Sequence, residues 1–294
     1  MSGTFHRVFR AITRSYPYTT PAYEINVALA PLLDRETPLW LEANGYRGSP
    51  RMMLNVRNRF QRKIFYFPVA YARHWLQAPL GEYMRQRLRP GDWFVDIGAN
   101  IGYYSLLAAG LVGAEGTVMS FEPEPGAFES LTRTMALNEC GQVQPHNVGL
   151  SNREGKLQLY RARDTSHSLV EATEKLGNFR GTVDVDVYPL DRFPPAAALD
   201  GRVRLIKVDV EGEEARVAQG MLETLARIGK PPVWSEVRGP EGSERAPDTF
   251  APMLEALSQL GYRAFRWRKD GITEVTQHDV RKREDILFAV DPNA

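Results

Sequence analysis

The chain has 294 residues, 43% of them hydrophobic and 25% charged, with a formal net charge of +1; this is the composition of an ordinary globular protein with room for one large domain or two modest ones. Its single cysteine, Cys140, excludes a disulfide scaffold and a cysteine-based zinc site, and its best uncharged apolar run, the 11 residues 104–114, is broken by Gly110 and Gly113 and too short to span a bilayer. The near-neutral total conceals a split, because residues 1–90 carry 14 Lys+Arg against 5 Asp+Glu (+9) while residues 91–294 carry 23 against 31 (−8).

The first 20 residues hold Arg7, Arg10 and Arg14 and no acid, with Phe5, Val8, Phe9 and Ile12 at helical spacing. They read as a terminal helix docked on its own domain, with a peripheral membrane contact as the alternative. The apolar core of a secretory signal is missing, so the expected location is cytoplasmic. From Ser49 to Pro90 arginines alternate with aromatic residues; strands are predicted over 52–55 and 63–69 and a helix over 80–88, stopped by Arg89-Pro90-Gly91. The pattern then turns regular. Strands are predicted over 93–97, 117–121, 143–148, 203–210 and 233–237, with helices over 127–137, 213–228 and 250–260 and another ending near 111. Residues 156–161 and 183–188 alternate as an exposed antiparallel pair, and 262–267 and 286–290 close the chain as strands. Strands alternating with helices imply a doubly wound α/β sheet, parallel through most of its width. The expected division is a basic, aromatic-rich cap over 1–90 and a catalytic domain over 91–294.

The chemistry begins at Asp96-Ile97-Gly98-Ala99-Asn100-Ile101-Gly102, a turn of small residues between the first regular strand and its helix. Such a turn lets a ligand approach the backbone and the positive end of the helix. Its Gly-x-x-x-Gly spacing lacks the third glycine that receives a pyrophosphate. Asp96, ending the strand toward the same space, suits a cationic or zwitterionic ligand. Glu122, ending the second strand, is placed to take both hydroxyls of a ribose. Together these features favour a nucleoside carrying a charged amino-acid tail over a dinucleotide.

The segment from Asp96 through Gly102 to Tyr103-Tyr104-Ser105, with the later Ile206-Lys207-Val208-Asp209-Val210-Glu211-Gly212, resembles the two signature segments of the FkbM-type methyltransferases. The resemblance runs from about Leu88 to Val290. It implies a Rossmann-like sheet of seven strands with the last antiparallel, and S-adenosylmethionine-dependent methylation of hydroxyl groups on sugars and natural products. Carried over, Gly98, Ala99, Asn100 and Gly102 correspond to the turn around the methionine part of the cofactor, with Asp96 as the acid opening the motif and Glu122 as the ribose ligand. His146-Asn147-Val148-Gly149-Leu150-Ser151 resembles the stretch that borders the adenine, where Asn147 and Val148 are expected to act through their backbone.

Ligands of open α/β sheets lie beyond the carboxyl ends of the strands, where Asp209, Glu211 and Glu236 fall. These acids could steer a sulfonium, serve as general base toward a hydroxyl, or hold Mg²⁺ as a partial ligand set. His167, in the loop 164–168, is an alternative base. Nucleic acid is excluded as a partner by the overall pI of about 7.8 and the absence of a recognition motif. The expected partner is a small-molecule or glycan acceptor, a sugar, glycan, glycolipid or polyketide-like product, chosen by the basic cap; an oligomer contact or membrane binding are the other uses of that cap. Two further functions stay open: a non-catalytic cofactor-fold scaffold, and an NAD-dependent oxidoreductase, which the glycine spacing disfavours.

Overall fold

A computed structural model describes residues 37–40, 51–54, 79–162, 179–241, 248–268 and 270–293. The helix read in the first 20 residues, the strand expected over 63–69, the loop carrying His167 and most of the basic block lie outside the described residues. In chain order, β1 (Thr37–Trp40) and β2 (Arg51–Leu54) form an antiparallel pair, followed by α1 (Pro79–Arg87). Then come β3 (Trp93–Ile97), α2 (Tyr103–Val112), β4 (Thr117–Phe121), α3 (Pro125–Leu137), β5 (Val143–His146) and β6 (Gly149–Leu150). After β7 (Gly155–Ala162) and β8 (Phe179–Tyr188), the main alternation resumes with β9 (Val203–Val208), α4 (Glu214–Gln219), α5 (Leu222–Arg227) and β10 (Val233–Arg238). The described chain ends with α6 (Phe250–Ser258), β11 (Arg263–Arg268), β12 (Gly271–Val275) and β13 (Arg283–Ala289).

The main sheet has the order β12-β11-β13-β10-β9-β3-β4-β5. Strands β5, β4, β3, β9 and β10 run parallel, while β13 is antiparallel to both β10 and β11. The seven-stranded sheet with an antiparallel last strand is therefore present. An eighth strand, β12, is added at the edge as a hairpin with β11; its residues Gly271–Val275 show one buried position, Val275, and so carry no period-2 apolar signal. The predicted antiparallel pair is β7 and β8, which with β6 makes a separate three-stranded sheet.

Two boundaries differ from expectation for identifiable reasons. The strand predicted over 143–148 stops at His146, and Gly149–Leu150 leaves the main sheet to pair with β8. The single helix predicted over 213–228 is two helices: the Asp191 carboxylate accepts N–H groups of Glu223 and Thr224 at 3.2 and 2.7 Å, which caps a new N-terminus at α5.

Alternation along the strands divides the core between two faces. Phe94, Val118 and Leu205 pack with α1, α2 and α3, whereas Val95, Ile97, Met119, Phe121, Ile206 and Val208 pack with α4, α5 and α6. Helix α1 starts on Pro79, whose fixed φ suits a first turn, and buries Tyr83 against Trp234 and Trp267 with ring centroids 5.5 and 5.6 Å apart. Two arginines of the basic block serve local chain ends. Arg89 donates to the carbonyls of Arg85, Gln86 and Leu88 at the helix terminus, and Arg87 donates to Pro292 and Asn293.

Candidate functional site

The turn after β3 is built by backbone bonds to the next strand: Gly98 and Ala99 both donate their N–H groups to the Phe121 carbonyl, at 3.0 and 2.9 Å. Gly98 has φ 76°, and a Cβ built there would stand 1.9 Å from the Asp209 carbonyl oxygen, so the two signature segments meet backbone to backbone. Only glycine allows both the left-handed conformation and that approach. Gly102 (φ 88°) heads α2, and its missing Cβ leaves room for Leu131 and Met135 of α3.

A cleft opens above this junction, at the carboxyl ends of the parallel strands. Its apolar walls include Ile97, Phe121, Val148, Leu150 and Leu159, and its polar groups are Gly98, Asn100, Glu122, Asp209 and Glu211. Glu122 is 5% exposed; its carboxylate accepts the N–H groups of Asn100 and Glu124, each at 2.8 Å. Burial outweighs those bonds and pushes its pKa from 4.5 to about 7. Both oxygens keep a free lone pair for a ligand hydroxyl.

Two of the predicted cofactor residues, Asp96 and Ala99, sit one layer back. Asp96 is fully buried and does not point into the cleft as expected: its carboxylate accepts Ser105 Oγ at 2.6 Å and Lys207 Nζ at 3.1 Å, and Ser105 Oγ lies 2.8 Å from Ser120 Oγ. The register explains this, since Asp96 stands directly beside Ser120 and Lys207 on the face covered by α2. Ala99 is buried by its bond to β4. The Asn147 side chain donates to the carbonyls of Glu122 and Pro123 at 2.8 and 3.2 Å, fastening the end of β4, while Val148 and Gly149 line the wall.

The three strand-end acids have unequal surroundings. Glu211, at φ 55°, bonds Arg238 and, at 2.8 Å, Arg283. Glu214, at the start of α4, accepts the N–H groups of Val210 and Gly212 at 3.4 and 3.0 Å and so fixes the loop that carries Glu211. Burial and the neighbouring Asp209 charge raise the Glu211 pKa against the lowering pull of both arginines. Glu236 binds Arg283 through both oxygens and does not line the cleft. Asp209 does line it, with its side chain 35% exposed and the Lys207 ammonium 3.9 Å away.

Sequence reasoning missed Lys207 and Arg283 as organisers of the site. Lys207 had a readable signal, a lone cation on the buried face of an otherwise apolar run, which requires an anionic partner. Among the described residues no group of three or more His, Cys, Asp or Glu could hold a metal ion. The pair Asp209 and Glu211 does not fit Mg²⁺, because Glu211 spends its oxygens on two arginines.

The family model described as "Methyltransferase FkbM domain" matches residues 96–264. "Methyltransferase 1" of Beauveria bassiana is 32% identical over 149 residues, covering 45% of this chain and 59% of that protein. "Methyltransferase sdnD" of Sordaria araneosa is 31% identical over 200 residues, 58% of this chain and 73% of that one. "Hexuronic acid methyltransferase AglP" of Haloferax volcanii is 27% identical over 137 residues, 47% of this chain and 53% of that one. The chain thus spans between about half and three-quarters of the length of these relatives.

Proposed function

The chain belongs to the FkbM methyltransferase domain family, and we propose that it is an S-adenosylmethionine-dependent O-methyltransferase acting on a hydroxyl of a sugar, glycan, glycolipid or polyketide-like acceptor. The observation that carries this reading is the placement of two differently prepared carboxylates in one cleft. Glu122 is fixed by two backbone N–H groups at one end, and Asp209 faces the same space from the other.

The residues fit a nucleoside sulfonium. Glu122 is poised to accept the ribose hydroxyls, the Val148, Leu150 and Leu159 walls to cover the base, and the Gly98 turn with Asp209 to receive the cationic end. When bound, S-adenosylmethionine supplies a methyl group on a positively charged sulfur.

Everything else falls to the protein. Asp209 is placed to take the proton of the acceptor hydroxyl; base assistance of this kind contributes about 10²–10⁴-fold. Glu211, held by two arginines, shapes the wall instead of carrying a proton. The aliphatic walls exclude water, which strengthens the attraction between Asp209 and a sulfonium.

The test has two stages. Calorimetric titration with S-adenosylmethionine, S-adenosylhomocysteine and NADH should show binding of the first two; absence of binding to both sinks the proposal. Labelled S-adenosylmethionine is then offered with neutral and acidic sugars, which the name of the Haloferax relative puts first. Loss of about 10²-fold or more in Asp209→Asn supports attack by a hydroxyl, since a carboxylate acceptor needs no base. The scaffold alternative requires binding without turnover on any acceptor.

A further inference from the structure

Lys207 is buried in the middle of the main sheet, and its ammonium has a full set of partners. It donates to Asp96 Oδ1 at 3.1 Å and to the Gly98 carbonyl at 2.8 Å, lies 3.5 Å from the Ile97 carbonyl and 3.9 Å from Asp209 Oδ2, and sits 5.7 Å from the centre of the Tyr104 ring. Asp96, whose other oxygen takes the Ser105 hydroxyl, balances the charge but takes only one of the three N–H groups. The extra bonds go to the glycine turn, and the turn and the end of β9 approach so closely that no Cβ fits between them.

We infer that Lys207 is a positioning residue: one buried ammonium locks the Gly98 turn of the first signature segment to the Asp209 end of the second, so that the cofactor cleft and the acceptor carboxylate form one rigid unit. The inference rests on the reading of this cleft as an S-adenosylmethionine site. Lys207 touches neither substrate nor cofactor; it acts through the Gly98 carbonyl, which otherwise has to turn or hydrate, and through the charge it holds beside Asp209. Desolvation, which disfavours the charged amine, is outweighed by Asp96, Asp209 and Glu122, so the group stays protonated through the neutral range.

The experiment separates locking from mere charge burial. Lys207→Met alone strands the Asp96 carboxylate and Asp96→Asn alone strands the ammonium, so either can unfold the chain; the neutralised pair Asp96→Asn/Lys207→Met is the deciding variant, and a folded Asp96→Asn is its control. Folding is checked by near-ultraviolet circular dichroism, and S-adenosylhomocysteine affinity by calorimetry. Asp96→Asn keeps the ammonium on the Gly98 carbonyl and should bind within about threefold of wild type. The double variant should fold yet bind at least tenfold more weakly, the scale of one charge-assisted hydrogen bond. A folded double variant that binds within threefold overturns the inference and leaves the cofactor reading standing. Wild type that binds no S-adenosylhomocysteine overturns both.

Discussion

Replacing Gly98 by alanine tests the junction on which the site depends, and its cost has two separable parts. The residue has φ 76°, where a Cβ costs about 1–2 kcal/mol. The new methyl would also stand 1.9 Å from the Asp209 carbonyl oxygen, a backbone atom that cannot swing aside, so the turn and the end of β9 must separate. Overpacking of that kind adds about 1–3 kcal/mol. Gly91 isolates the first part: its φ is 89°, and a methyl added there would meet nothing within 4 Å. Gly102 is intermediate, because the atoms its methyl would meet, Leu131 Cδ1 at 2.5 Å and Met135 Cε at 2.9 Å, are ends of flexible side chains. Thermal melts of the three alanine variants should therefore rank Gly98 as most damaging, then Gly102, then Gly91. Each kcal/mol corresponds to about 2–4 °C for a domain of this size, so Gly98→Ala should melt several degrees below Gly91→Ala. It should also lose S-adenosylhomocysteine affinity, which Gly91→Ala should keep. Equal melting temperatures for the two would refute the close approach.

Other outcomes follow from the acids. With Glu122 at about 7, a ligand that needs its carboxylate must displace a proton at lower pH; S-adenosylhomocysteine affinity should rise about tenfold between pH 6 and 8. A pH-independent affinity measured in an Asp285→Asn background, which removes the second carboxyl near 7, would count against that role. The same raised pKa means the folded state holds the proton more tightly, so the Glu122 contribution to stability declines as pH rises from about 4.5 to about 7. Glu211→Gln leaves Arg238 and Arg283 without their shared anion and should cost about 2 kcal/mol, seen as a lower melting temperature, whereas Asp209→Asn should melt near wild type while losing turnover. Because Glu211 is committed to arginines, chelator should leave methyl transfer unchanged; loss of activity restored by Mg²⁺ would reverse that reading.

The sheet was largely legible in the sequence because its central parallel strands are buried on both faces and read as short apolar runs, as Trp93–Ile97 and Val203–Val208 do. What escaped was decided by single tertiary contacts. Asp191, distant in sequence from the helix it caps, splits the predicted 213–228 helix. β12 is an edge hairpin with an exposed face, so its residues carry little burial pattern. At the site, the glycine turn and strand-end acids, together with the family resemblance that supplied Val148, pointed to Gly98, Asn100, Glu122, Val148, Asp209 and Glu211, which all line one cleft. The facing of Asp96 depended on strand phase. Phe94 packs on the α2 face, and period-2 alternation carries Asp96 to the same side, under the turn instead of into it.

The inequality of the three rim acids has a topological origin. Parallel strands deliver their carboxyl ends to the ligand-binding edge, where this chain has Glu122 and Asp209 just past β4 and β9 and Glu236 near the end of β10. An antiparallel strand delivers its first residues there instead. β13 enters the sheet beside β10 with Arg238 opposite Arg283 and Glu236 opposite Asp285, so its N-terminal arginine arrives among the carboxylates at the rim. Arg283 then binds Glu236 and, with Arg238, Glu211. Asp209 lies one strand further in, on the side of β9, with the buried Lys207 behind it. Reversal of one strand thus leaves two acids anchored on arginines, Glu211 at the cleft wall and Glu236 outside it, and a third, Asp209, that faces the cleft. The −8 of residues 91–294 is chemical in purpose only in part: the anchored acids support the wall, and Asp209 with Glu122 is what a cationic ligand would meet.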